Sequence, residues 1–378
     1  MKKNTFYLLI FMTLFTGITF SQTTIEITNQ YPFDREDEMV EVPALEFGGL
    51  KDTKLILTDE NNQEIPYQII YNGTETPQSI IFPATVKTGT KVVYTLTSGN
   101  PKAVVAKTSA RFVPERKDDF TWENDLAAYR MYGPALANEN PSNGIDLWLK
   151  KTTELVVDSF YRGELLHGKS YHEDHGQGLD CYKVGNTLGA GGVAPYVDGK
   201  LLIGKHYDSY KVLDNGPLRS TFTLTYDQVD INGKPYKKDL TISTDAGTVM
   251  NKAVVKLTGE KQPMRLAAGI TLHDGKGSLQ RASGLIVYGE NAVTDKTKTS
   301  VGKNFVGVVL PDKEDEYKIQ NLHALLISNY VPGDEFIYYF GGGWSQWQFP
   351  TQKEWLAAVQ QFSKQVKYPL TIKVVQAP

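Results

Sequence analysis

From Thr24 to about Lys107, apolar and polar residues alternate in short runs separated by turn formers. The runs are Ile25 and Ile27, Met39 to Val42, Leu55 to Leu57, Tyr67 to Tyr71, Ile80 to Phe82 and Val92 to Leu96, with Asn72-Gly73 and Thr88-Gly89 between them. A period of two puts alternate side chains on one face of an extended chain, so each run predicts a half-buried strand and the set predicts a small β-sandwich over residues 22–108. That segment holds no histidine, which marks it as a structural or docking module. A looser stretch from Ser98 to Arg111 leads into residues 109–378, where the strand patterns resume at Ser220 to Tyr226, Asp239 to Ser243, Lys252 to Leu257, Leu285 to Tyr288, Phe305 to Leu310, Leu325 to Ile327 and Thr371 to Val375. These predict one large two-layer supersandwich. A single helix breaks the pattern. Thr351 and Glu354 stand at capping-box spacing after Pro350, and Trp355, Leu356, Val359 and Phe362 form an apolar face expected to pack on the outside of the sandwich. The predicted fold class is all-β, a small sandwich followed by a large one with a C-terminal helix.

Lys2 and Lys3 precede an apolar run from Phe6 to Phe20 and the small Ser21, which reads as a signal peptide over residues 1–21 and predicts export to a periplasm or the medium. No later segment is long and apolar enough for a membrane span. The one cysteine, Cys181, leaves no disulfide within the chain and reads as a small buried residue. Lys plus Arg is 40 against 43 Asp plus Glu, a net charge of −3 without long blocks of one sign, so nucleic acid is not an expected partner. An anionic substrate stays compatible with that balance, because a site needs only a few local cations.

Chemistry concentrates in residues 160–192, which carry His167, His172 and His175, half of the chain's six histidines. Tyr161, Arg162, Lys169, Tyr171, Asp174, Asp180, Tyr182 and Lys183 lie in the same window. In an extended chain His172 and Asp174 share a face, and a carboxylate beside an imidazole fixes its tautomer and raises its basicity. A metal site is the second chemical reading, but the ligand spacing matches no known pattern and no metal or other cofactor is expected. The glycines from Gly185 to Gly192 lack the Lys-Ser or Lys-Thr of a phosphate loop and read as a tight supporting turn. Upstream, Trp122-Glu123-Asn124-Asp125 and Tyr129-Arg130-Met131-Tyr132 join aromatic faces to hydrogen-bonding groups, a mixture that suits sugars, although Trp122 and Tyr129 read equally well as core. Arg219 and Trp344 are further candidates for substrate contact, while His273 and His323 sit in strand-like apolar surroundings and read as structural.

Taken together, Trp122 to Asp125, Arg130 to Pro134, Ser170 to Asp174 and Gly178 to Gly185 resemble an exported family of uncharacterised domains from bacterial polysaccharide-utilisation loci. Within it the chain is similar to members that dehydrate oligosaccharides in ulvan degradation. The resemblance implies β-elimination of water across C4 and C5 of a non-reducing-end glucuronic or iduronic acid. By analogy it also implies a supersandwich like that of galactose mutarotase. On chemical grounds His172, oriented by Asp174 or Asp180, is expected to take the C5 proton while Tyr182 or Tyr171 protonates the departing hydroxyl. Trp122, Arg130, Arg162, His167, Tyr171, His175, Lys183, Arg219 and Trp344 are expected around the anionic oligosaccharide. A polysaccharide lyase, which expels a sugar in place of water, and a non-catalytic carbohydrate-binding protein are the competing readings.

Overall fold

A computed structural model describes residues 22–50, 54–138, 143–294 and 296–376. The expected signal peptide lies outside the described residues. The N-terminal unit is a sandwich of two antiparallel sheets. One runs Thr371–Gln376, Thr23–Thr28, Lys91–Ser98, Leu55–Thr58, and the other Arg35–Pro43, Ser79–Val86, Gln68–Ile70. Burial alternates residue by residue along Thr23–Thr28, so Ile25 and Ile27 point inward to Leu57, Leu96, Val40, Val42 and Phe82. Period two in the sequence thus becomes one dry face and one wet face. The strand Thr371–Gln376, drawn from sequence with the larger sandwich, pairs with Thr23–Thr28 along its whole length and returns the end of the chain to the first unit.

The larger unit is the expected supersandwich. An eight-stranded antiparallel sheet runs from Ser209–Asn215 at one edge to Ser278–Ala282 at the other, with Arg219–Ile231 and Phe336–Trp344 among its inner strands. Two five-stranded sheets lie against it. Phe222, Ile242 and Phe340 of the first layer share one core with Trp122, Leu147 and Leu179 of one facing sheet and Ile270 and Leu326 of the other. The predicted helix, here Gln352–Lys367, has its capping box formed and buries Trp355 and Val359 on the outer face of the large sheet, against Val287 and Phe305. A second helix, α1 (Val157–His167), covers the outer face of one five-stranded sheet by placing Val157 and Tyr161 on Trp148 and Ala128.

The two units are tied by polar side chains. Gln68 accepts from the backbone N–H of Leu218 and Arg219, and Asp214 accepts from those of Tyr71 and Asn72. Arg219 spans the joint, 2.5 Å from both Asp245 and Glu41. Expected as a substrate clamp, it is committed to holding the sandwiches together.

Candidate active site

Strand register gathers the charged cluster. Arg130 pairs opposite Asp146, and Trp148 opposite Asp180, on adjacent antiparallel strands, so the four side chains emerge on one face. The Arg130 guanidinium lies 2.6 Å from Asp146 and 2.7 Å from Asp180 and also donates to the hydroxyls of Tyr171 and Tyr132. Asp146 accepts a further bond from the Trp148 indole at 3.2 Å. Arg130 is only 1% exposed, so it anchors the site from beneath and its expected contact with substrate is corrected to this role. Asp119, fully buried beside the same guanidinium, has its carboxyl pushed up to about 6 by desolvation, against the pull of Arg130 and Arg116.

His172 rests on this cluster. Its Nδ1 lies 2.9 Å from the Asp180 carbonyl oxygen and 3.7 Å from that residue's carboxylate. A carbonyl only accepts, so Nδ1 carries a proton, and in the neutral ring the lone pair is on Nε2. The ring is part-exposed and tilted over Tyr171 at 4.5 Å. Of the two carboxylates expected beside it, Asp180 is the one in place, and Asp174 turns elsewhere. It binds Lys151 and accepts from the N–H groups of Gly176 and Gly178, because residues 171–177 form turns and not an extended strand. Burial alone would raise the Asp174 carboxyl, but Lys151 and those two N–H groups outweigh it and hold it below the usual range.

The expected residues separate further. Trp122 is a core side chain, stacked on Tyr129 at 5.5 Å with its indole donating to Asn251. Trp344 is fully buried and donates to the Val301 carbonyl. Trp122 thus takes the core alternative, and burial corrects the substrate contact expected of Trp344. The neighbouring Glu123 caps α1 by accepting from the N–H of Val156 and Val157, and Asn124 closes the turn to Ala127. Arg162 and His167 lie exposed on α1, His175 bonds the Ser170 carbonyl from an exposed turn, and Tyr171 is buried against Trp148.

Beyond the strand Gly178–Asp180, Tyr182 and Lys183 line a cavity of about 650 Å³ together with His273, Lys276, Glu290, Lys303 and Asn304. From sequence His273 reads as structural, and no local pattern points to Glu290 or Asn304. His273 Nδ1 lies 2.5 Å from Glu290, its Nε2 lies 2.6 Å from the Lys183 carbonyl, and its backbone sits at φ +43°, a left-handed value uncommon outside glycine. Burial opposes a charge there, but Glu290 outweighs it and raises the imidazole above its ordinary value. Tyr182 packs edge-on against that ring at 5.0 Å, and burial, with Glu290 and Asp146 adding to it, holds its phenol neutral. Among the described residues no three His, Cys, Asp or Glu side chains converge as metal ligands, and no helix is long and apolar enough to cross a membrane.

Residues 27–372 match the family described as a domain of unknown function, DUF4861. "Uncharacterized protein P7" of Formosa agariphila is 34% identical over 282 residues, covering 70% of this chain and 69% of that protein. An alpha-mannosidase from Enterococcus faecalis superposes with a TM-score of 0.50 at 9% identity over 94% of this chain, a likeness of fold alone. The chain spans 46% of the length of that enzyme.

Proposed function

The chain belongs to the DUF4861 family, and from that premise we propose that it is an oligosaccharide dehydratase acting on a non-reducing-end uronic acid such as the glucuronic or iduronic acid of ulvan. The observation that carries the reading is His172. Its tautomer is fixed by the Asp180 carbonyl, and its Nε2 has no partner among the described residues. An imidazole held with one lone pair outward is suited to proton abstraction near neutral pH. In this reading Nε2 takes the C5 proton, the released electron pair forms the C4–C5 double bond, and the C4–O bond breaks. The neutral Tyr182 phenol gives the leaving oxygen its second hydrogen, so that water departs, and the proton held by His172 returns to Tyr182 through solvent. Asp180, pinned by Arg130, stabilises the imidazolium as it forms.

The test is a His172→Ala variant given a uronate-terminated oligosaccharide. Turnover is expected to fall by about 100 to 10,000-fold with an unchanged melting temperature. A variant that folds normally and keeps full rate removes His172 from the reaction.

A further inference from the structure

We propose that the cavity floored by Tyr182 and Asn304 is a binding subsite for one anionic, hydroxyl-bearing sugar ring. The inference rests on the dehydratase reading for the uronate chosen as ligand, while its geometry stands without that chemistry. Two buried side chains on the cavity wall each leave a polar atom without a hydrogen bond among the described residues: the hydroxyl of Tyr182, 5% exposed, and Oδ1 of Asn304, 4% exposed. Buried polar atoms are almost always paired. The Asn304 amide orientation is set by its Nδ2, which donates to Glu290 at 3.3 Å, so Oδ1 is the atom left open. A donor and an acceptor left open on one cavity are completed by a ligand hydroxyl that accepts from Tyr182 and donates to Asn304.

Charge selects the rest of the ligand. Lys183, Lys276, Lys303 and the protonated His273 line the cavity against Asp274 and Glu290, so the lining is net positive inside a chain that is net negative. His273 is not itself available to a substrate. Both its nitrogens are engaged, one by Glu290 and one by the Lys183 carbonyl. It is a positioning residue that fixes the wall carrying Lys183 and offsets the Glu290 charge. An anionic group then meets the lysines while its ring hydroxyl meets Tyr182 and Asn304.

Calorimetric titration with methyl glucuronide and methyl glucoside tests this. The glucuronide is expected to bind about tenfold or more tighter than the neutral glucoside, and replacing the exposed Lys276 and Lys303 by Ala is expected to erase that preference. Tyr182→Phe removes a hydroxyl that has no partner among the described residues. It is expected to leave the melting temperature unchanged or higher while weakening the glucuronide about tenfold. Equal binding of the two sugars, no binding of either at millimolar concentration, or a Tyr182→Phe protein that binds like the wild type overturns the subsite. Binding as expected in a protein that never yields an unsaturated product upholds the subsite and overturns the dehydratase reading. Product from the wild type together with unaltered binding in the variants overturns the subsite alone.

Discussion

Removing the Arg130 guanidinium would take away the buried cation that Asp146 and Asp180 share, a loss that costs about 3–5 kcal/mol. Arg130→Met is therefore expected to lower unfolding free energy by that order in a urea titration, far more than a surface arginine would. Asp119 gives a pH signature. Its folded carboxyl titrates at about 6 against an ordinary 3.8, so the folded state holds this proton longer than the unfolded chain does. The Asp119 contribution to stability thus falls as pH rises from about 4 to about 6 and is flat above. Plotting melting temperature against pH for wild type and Asp119→Asn isolates it, with the wild type losing ground to the variant across that window. His273 adds the same sign at higher pH, because a raised imidazole gives stability that is lost as pH climbs past its folded value. At this scale the density of polar and titratable groups in one window was enough to single out the segment that holds His172, Asp180 and Tyr182. Two partners were offered for His172, and only the fold chooses between them: a turn carries Asp174 to Lys151, and the strand Gly178–Asp180 brings in Asp180. His273, Glu290 and Asn304 were hidden because they lie on separate segments that only sheet register brings to one cavity.

The two helices show what local sequence can and cannot specify. The C-terminal helix carries its own signals, with Thr351 and Glu354 capping each other and Trp355 facing the sheet, so it was readable in isolation. Helix α1 has no side-chain cap of its own. Its first N–H groups are met by Glu123, which lies more than thirty residues earlier and also pairs with the buried Lys150 at 3.3 Å. Only the glycine after its last residue, Gly168 at φ +60°, gave a local hint. The consequences for mutation differ accordingly. Thr351→Ala is expected to cost about 1 kcal/mol, whereas Glu123→Ala strands Lys150, frees the start of α1 and is expected to cost about 3–5 kcal/mol. Denaturant unfolding of the two variants checks the ranking, and equal losses would contradict it.

Across the whole molecule, alternation of apolar residues was enough to read an all-β chain with a small and a large sandwich, because each strand declares its buried face locally. The joint between them was not readable, since Arg219, paired with Asp245 inside its own sheet, meets Glu41 only after both units have folded. Nor was the return of the last strand to the first sheet. Deleting residues 371–378 is expected to bare the edge of Thr23–Thr28 and loosen the packing around Ile25 and Ile27, lowering the melting temperature and increasing binding of a hydrophobic dye. Function at this scale comes down to what happens to a glycan in the presence of the protein. A uronate-terminated oligosaccharide incubated with it and followed by mass spectrometry tests the central claim most directly. Loss of one water from the intact oligosaccharide, with a matching rise in ultraviolet absorbance from the new double bond, is the predicted result. A glycan split into shorter pieces, or recovered with its mass unchanged, contradicts it.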